Sequence, residues 1–509
     1  MGNALKVHWF DRAVGAVLPK LGYKMALARW QFRQFVRNYD AARQDNLWIN
    51  WVAQNQPGEL QDVKARPIMI ARCRDLERNS DTAGGIASAI RRNVIGKGLQ
   101  LQSRVLFRDY GEMDETSIKK IEAYWRKFIR KENCEVQGKH SFRKICAMIQ
   151  DRLTFDGEVF FIKIYDATGE FPFKLQMMEY DQLDMNQFQN GNTKNQIYSG
   201  IEVDEHGRPV AYWFRQVDPM GIREMQPIRV EAARVIHLAE ITRSSQIHGI
   251  PRIAKSVSRI RDIDSYIEAE RIKSRLAACF GMVIEADNSR MTPVFNSPTN
   301  SSYDGVEIAP GMVSRLNPGE TIKVVAPNIT TYVNDFTRLN VRMAGSGQGF
   351  SYEQVSRDYS QTNYSSARQG LLEDQKTFGV MQEEIIEDFC EVIFKAAIEA
   401  GVLSGALELR NFFENPDRYY EHKWIPPGWS WIDPQKEINA HALGIALGIT
   451  TLEEVCASLG KDWAEVLRQR SREVQEAQRL GLVLSTEPPT IPKEGDEKNE
   501  EEKQNPQAE

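Results

Sequence analysis

From Asp81 the apolar positions of the chain recur at helical spacing. Ile86, Ala89, Ile90 and Val94 share one face, Asp81 or Thr82 is placed to cap its start, and Gly96 and Gly98 to end it. A second helix is predicted from about Asp114 to Lys131, with Ile118, Ile121, Trp125, Phe128 and Ile129 on its stripe. A third starts at Ser141 and turns Phe142, Ile145, Ile149 and Leu153 to one side. The period then drops to two. Glu158–Tyr165 and Phe173–Tyr180 read as strands, Gly200–Phe214 as a hairpin turning at Asp204–Gly207, and Arg234–Leu238 as a further strand. His237, inside that last apolar strand, reads as a hydrogen-bonded core histidine rather than a ligand. Residues 60 to 245 therefore form an α+β domain.

Beyond Gly249-Ile250-Pro251 a long helix is predicted, roughly Arg252 to Ala278, with Ile253, Val257, Ile260, Ile263 and Ile267 on one stripe and mixed charges on its other faces. One apolar stripe between charged flanks suits packing beside copies of itself. Asp262 and Asp264 point in different directions on such a helix, so their spacing argues against a metal pair. Residues 280 to 327 form a small β module around a Pro/Asn/Ser loop, Pro293 to Asp304, and a second helix returns over about Thr331 to Ala344. Two helices thus leave a body, a compact module joins their far ends, and the chain comes back.

The stretch Gly345–Phe378, GSGQGFSYEQVSRDYSQTNYSSARQGLLEDQKTF, comes next. Three glycines in five residues and a run of Ser, Tyr and Gln read as a shaped, mobile polar loop at the mouth of a helix. That helix is predicted from about Ser365 into Glu399, roughly 50 Å at about 1.5 Å per residue, and Gly401 is placed to end it. An irregular aromatic segment, Trp424–Pro434, leads into helices, where Thr451 and Glu454 fit a capping box.

Composition narrows the class. At 509 residues, 41% apolar and 27% charged, the chain has the make-up of an ordinary globular protein of about three domains. Net charge is −5, so no global basic field marks it for nucleic acid. The ends differ: residues 1–50 carry eight Lys/Arg against three Asp/Glu, and residues 485–509 three against eight. The basic end, with Trp30, Phe32, Phe35, Trp48 and Trp51 interleaved, fits either a nucleic-acid track or a helical arm on a neighbouring subunit, the second being preferred. The acidic, Pro-rich end reads as a disordered tail. Six scattered cysteines without a C-x-x-C pair indicate reduced thiols rather than disulfides or zinc. No apolar run approaches the roughly 18 residues of a membrane span, so a cytosolic origin and no membrane partner are expected.

Candidate chemistry is sparse. Gly345-Ser346-Gly347-Gln348-Gly349 lacks the G-K-[ST] ending of a phosphate loop and follows a helix instead of a strand. There is no G-x-S-x-G, no H-E-x-x-H, and no acidic cluster at two-metal spacing. No catalytic residue, metal or cofactor is expected. The alternatives retained are a metal-dependent nucleic-acid-processing enzyme using acidic residues as ligands and a scaffold assembling through its long helices.

The segment GFSYEQVSRDYSQTNYSSAR, Gly349–Arg368, resembles the most characteristic segment of lambda-type tailed-bacteriophage portal proteins. Ala83–Leu101, Gly200–Phe214 and Thr450–Gln469 are similar to further family segments in the same order, so the likeness covers roughly residues 60–480. It implies an α+β portal-type subunit: an arm (1–60), a wing (61–250), stem helices (251–280 and 328–344) and a small α/β clip (281–327). A tunnel loop (345–363), a long helix (364–403), a helical crown (404–484) and the tail (485–509) complete it. The likeness further implies a homo-oligomeric ring, usually a dodecamer, at one capsid vertex of the virion, assembled in the bacterial cytoplasm. Double-stranded DNA would pass its channel during packaging and ejection. The terminase large subunit, head-completion or connector proteins, the major capsid protein and scaffold proteins are the implied partners. On this likeness Gly345, Gly347, Gly349, Ser351, Tyr352, Gln354, Arg357 and Gln361 are expected along the DNA channel. Pro293, Asn296, Asn300, Tyr303 and Asp304 are expected at the clip contact with terminase and connector. Twelve helices packed about 10 Å apart would ring a hole of roughly 27 Å once a helix thickness of about 11 Å is subtracted, which admits a duplex.

Overall fold

The structure, a computed structural model, describes residues 55–107, 112–166, 169–188, 195–217, 224–278, 282–286, 320–324, 333–429 and 433–482. Nearly all of the basic arm, the acidic tail, and the clip residues Pro293, Asn296, Asn300, Tyr303 and Asp304 lie outside them. Met1–Gln61 and Asp62–Glu509 are two separate compact units, and the elements below belong to the second.

Helix α1 spans Arg66–Asn79 and α2 spans Asp81–Ile90. The cap of α2 is Ser80, whose hydroxyl accepts from the Ala83 amide, so the cap lies one residue before the expected Asp81. Asp81 instead opens the first turn, where its charge suits the helix dipole. The helix runs into a π turn, Arg91–Ile95, and stops at Gly96, whose φ of 44° excludes most side chains. Ile86, Ala89, Ile90 and Val94 are all buried, as the periodicity requires.

After β1 (Gln100–Ser103) come α3 (Glu115–Phe128) and α4 (Phe142–Phe155), capped by Asp114 and Ser141. Trp125 of α3 is the centre of the core: Phe142, Phe394 and Trp424 meet its ring edge to face, with centroids 5.3, 5.7 and 5.7 Å away. Each such pair contributes about 0.5–1.5 kcal/mol beyond area burial.

Two sheets are built next. Strands β2 (Glu158–Tyr165) and β3 (Phe173–Met178) pair with β8 (Val235–Ala239) in the order β3-β2-β8, all antiparallel. The second sheet is a meander of β4 (Gln196–Tyr198), β5 (Ile201–Val203), β6 (Pro209–Val217) and β7 (Glu224–Glu231). Because side chains alternate across a strand, β2 serves two cores. Val159 and Phe161 face the large helical core, while Phe160 and Ile162 face a smaller one shared with Ile201, Tyr212 and Phe214. That double burial is why the strand reads as a nearly unbroken apolar run.

A 3-10 turn (Arg252–Ser256) leads into α5 (Val257–Ala278), and β9 (Met282–Ala286) pairs antiparallel with β10 (Glu320–Val324). Helix α6 spans Val333–Ser346, α7 Tyr352–Ser356, and α8 Tyr364–Ile385. Through a π turn (Ile386–Cys390) α8 continues as α9, Glu391–Leu403. Gly401 does not end this helix: it is buried inside α9, where a Cβ would lie 2.6 Å from the Tyr124 ring. The chain turns at Gly405 instead, with φ 77°.

Strand β11 (His422–Ile425) pairs antiparallel with β1, joining the C-terminal third to the exit of α2. Helices α10 (Pro434–Ala446), α11 (Leu452–Ser458) and α12 (Trp463–Arg479) are the last elements described. The capping box of Thr451 and Glu454 opens α11 with both reciprocal bonds formed.

Candidate functional site

Helices α5 and α6 lie side by side and antiparallel. Near their shared base the Ser256 hydroxyl donates to the Ala344 carbonyl at 3.2 Å. Farther out the rings of Tyr266 and Phe336 meet at 4.6 Å, so positions advance along one helix as they recede along the other. Ile253, Ile260 and Ile263 are buried in the body, whereas farther out Ile267 and Ile272 on α5 and Phe336 and Leu339 on α6 are exposed. The stripe that packs the base of the hairpin is thus bare on its outer part.

The stretch that leaves α6 is packed where the sequence suggested freedom. Gly345 is the penultimate residue of the helix and is buried; a Cβ there would press on the Phe350 carbonyl at 3.0 Å and Val355 at 3.1 Å. At Gly347 a Cβ would lie 2.7 Å from the Ser256 hydroxyl, and Gly349 takes a φ of 79° against Thr377. These glycines admit close neighbours rather than motion. The chain then folds back so that Phe350 stacks on Phe378 of α8, centroids 4.9 Å apart.

Ser351 caps α7 and ties it to α8. Its amide and hydroxyl donate to the two Asp374 oxygens at 2.7 and 2.5 Å, while its oxygen accepts from the Gln354 amide. Burial pushes the Asp374 carboxyl up, and the two bonds from Ser351 oppose it. Tyr352 lies under the Arg338 guanidinium, 5.0 Å from the ring centre, and donates to Asp358 at 3.2 Å. Hydrogen bonds from Ser360 hold the Asp358 carboxyl low, and the Tyr352 hydroxyl adds to them. Gln354 is buried. The stretch to Val355 is a structured turn joining three helices.

The exposed part begins at Ser356. Arg357 takes a left-handed φ of 58° and reaches Ser88 on α2 at 3.4 Å. Tyr359, Ser360, Gln361 and Tyr364 stand in solvent on a tip between α7 and α8, braced by Thr362 donating to Glu353 at 2.8 Å. Of the residues expected along a channel, Arg357 and Gln361 lie on this tip. Gly345, Ser351, Tyr352 and Gln354 belong to the packing beneath it, and Gly347 and Gly349 are exposed elsewhere, against Ser256 and Thr377.

Among the described residues no three His, Cys, Asp or Glu side chains converge on a metal-sized point. Asp264, half of the acidic pair on α5, accepts from Ser80, and burial raises its carboxyl. Among the described residues no helix is long and apolar enough to cross a membrane.

The described residues thus form a body bearing a two-helix hairpin, with a polar tip at its base. Residues 44–382 match the family described as phage portal protein, lambda family, and the chain belongs to that family. It is 27% identical over 462 residues to the probable portal protein of Halomonas phage phiHAP-1, covering 88% of each chain. It is 23% identical over 470 residues to portal protein B of Escherichia phage lambda, covering 84% of this chain and 88% of that one. Among solved structures, a chain from the neck of a native gene transfer agent particle aligns at 12% identity and a TM-score of 0.41. That alignment covers 78% of this chain and 99% of the other.

Proposed function

We propose that this chain is the subunit of a twelve-membered ring at one capsid vertex, and that double-stranded DNA is packaged and ejected through the ring's centre. The observation that carries the reading is the α5–α6 hairpin. Its outer apolar positions are left uncovered by the described residues, and side-by-side copies around an axis would cover them. The hairpin also suits passage rather than capture: α5 carries five Lys/Arg against four Asp/Glu, and a near-balanced wall binds phosphates weakly. The tip from Arg357 to Tyr364 would face the duplex, held in place by Ser351, Asp374 and the stacked Phe350–Phe378 pair. The terminase and the connector proteins would meet the segment between β9 and β10. No step of bond chemistry is assigned to the chain.

The test is a tip variant, Arg357→Ala with Tyr359→Ala and Gln361→Ala, examined by negative-stain microscopy and by DNA packaging. Intact rings with lost packaging or lost retention of DNA are expected. Normal packaging by the triple variant, or a wild-type particle without a central channel, would overturn the proposal.

A further inference from the structure

Behind the tip, a groove of about 1260 Å³ opens between the end of α2, the first turn of α4 and the turn joining α11 to α12. Its charged lining consists of Arg91, Arg92, Lys97, Arg143, Lys144 and Lys461, with no carboxylate among the lining residues. All six are exposed. Arg91 reaches Asp151 at the edge at 3.4 Å, and Arg143 reaches only the Gly96 carbonyl, also at 3.4 Å. Among the described residues, no carboxylate lies within ion-pair distance of Arg92, Lys97, Lys144 or Lys461.

Fold stability does not account for this placement. Arg143 and Lys144 occupy the first turn of α4, which carries no acidic residue, although the positive end of a helix dipole favours carboxylates there. Lys461 directly precedes the Asp462 cap of α12, and so adds a cation at a second helix start. Arg91 and Arg92 open a π turn, an uncommon conformation frequent at functional sites. Trp429 lines the same groove, and its buried indole N–H has no acceptor among the described residues. Local rules of stability are broken repeatedly around one concavity, and each break adds positive charge or an unused donor to it. Such a cleft concentrates anions.

We propose that this groove binds the phosphodiester backbone of double-stranded DNA, as a track separate from the channel wall. The proposal rests on the reading that the chain handles duplex DNA, and it adds a place where DNA is held rather than passed. Ser88 lies on the groove's lining and contacts Arg357, so the groove opens beside the exposed tip. The rival polyanion is the chain's own acidic end. Its densest part, Glu494–Glu502, has six acids and one lysine, a net charge every ~6 Å when extended at about 3.3 Å per residue. A duplex presents one every ~1.7 Å, several times denser, and the groove's clustered cations match the denser ligand.

The test uses the full-length chain and a fluorescent duplex of about 30 base pairs, with affinity read by anisotropy from about 50 to 200 mM KCl. The variant joins Arg92→Ala, Lys97→Ala, Lys144→Ala and Lys461→Ala, all exposed positions, and a thermal melt matching the wild type checks that it is folded. Each lost phosphate contact lowers the slope of log K against log[salt] by about 0.9, so a drop of about 3.6 is expected, with affinity weakened more than tenfold at physiological salt. Arg357→Ala alone should leave most of the slope in place. An unchanged slope in the quadruple variant would overturn the proposal. So would binding that appears only when the chain is cut after Leu482, which would give the groove to the acidic end. Loss of ring assembly with unaltered affinity per chain would assign the groove to a neighbouring copy and also overturn it. A particle lacking a channel would sink the conduit reading alone, because this titration needs no channel.

Discussion

Glu158 offers the sharpest quantitative prediction. Its carboxylate is fully buried at the start of β2 and accepts from His248 Nδ1 at 2.8 Å, His237 Nε2 at 3.0 Å and the Gly249 amide at 3.0 Å. His248 is itself fully buried, and its Nε2 faces the Tyr198 carbonyl at 2.9 Å. Both ring nitrogens of His248 thus face acceptors, which requires a proton on each and makes the ring an imidazolium. The pair ties the two sheets together, since Glu158 belongs to one and Tyr198 to the other. Burial alone would raise the Glu158 carboxyl, but the His248 charge and the hydrogen bonds from both histidines outweigh it and hold it well below its ordinary 4.5.

Replacing Glu158 with Gln keeps the shape and removes the charge. The amide oxygen then serves at most two of the three donors, the amide NH2 confronts an N–H that the second carboxylate oxygen had accepted, and the imidazolium is left unpaired in the interior. Breaking a buried pair from one side costs about 3–5 kcal/mol. Because the folded protein lowers the Glu158 value, its stabilisation is complete above 4.5 and fades as pH falls from there toward the folded value. The gap between wild type and Glu158→Gln should therefore be about 3–5 kcal/mol at pH 7 and narrow steadily below about pH 4.5. Urea unfolding followed by tryptophan fluorescence at several pH values measures it. A gap under about 1 kcal/mol at pH 7, the worth of an ordinary neutral hydrogen bond, or one that does not change with pH, would refute the assignment of a buried ion pair.

Two further predictions concern glycines. Gly157 has a φ of 85°, and a Cβ there would lie 2.5 Å from Pro251 N. Gly157→Ala should cost about 3 kcal/mol or more, whereas Gly207→Ala, with a φ of 78° in open space, should cost only about 1–2 kcal/mol from the left-handed backbone; thermal melts of the two variants should separate accordingly. Gly401→Ala should destabilise α9 by about 1–3 kcal/mol through overpacking against Tyr124, yet in a Tyr124→Leu background the same change should be neutral or stabilising, since Ala favours a helix over Gly by about 1 kcal/mol. Equal effects in both backgrounds would show that the Tyr124 ring is not what requires glycine there.

Elements whose periodicity is local are legible in the sequence. The stripes of α3 and α4, the strands at Glu158 and Phe173, the hairpin turn at Asp204–Gly207 and the box at Thr451–Glu454 each arise from residues within a few positions of one another. His237 as a hydrogen-bonded core residue is legible too, because a lone imidazole in an apolar strand needs a partner. The identity of that partner is not: Glu158 lies 79 positions away in the chain and becomes a neighbour only through the β2–β8 register. The same limit hides the β1–β11 pair, which joins residues more than 300 positions apart. The basic groove is equally hidden, since its cations come from three segments and no window of sequence contains more than two or three of them.

The glycines of the central stretch show how a correct feature can carry a misleading cause. Three of them in five residues read as hinges, because glycine relaxes the backbone. The same lack of a Cβ also lets neighbours approach, and composition does not distinguish the two uses. At Gly345, Gly347 and Gly349 the neighbours are present: a carbonyl and a valine, a serine hydroxyl, and a threonine side chain. Under the proposed reading, a polar tip beside a moving polymer would gain from a rigid base, since any motion of the base would spread the position of the tip. The packed glycines, the Ser351–Asp374 bonds and the Phe350–Phe378 stack supply that base. Apart from Ser346, the Ser, Tyr and Gln residues that give the stretch its loop-like composition are exposed only beyond it, from Ser356 onward.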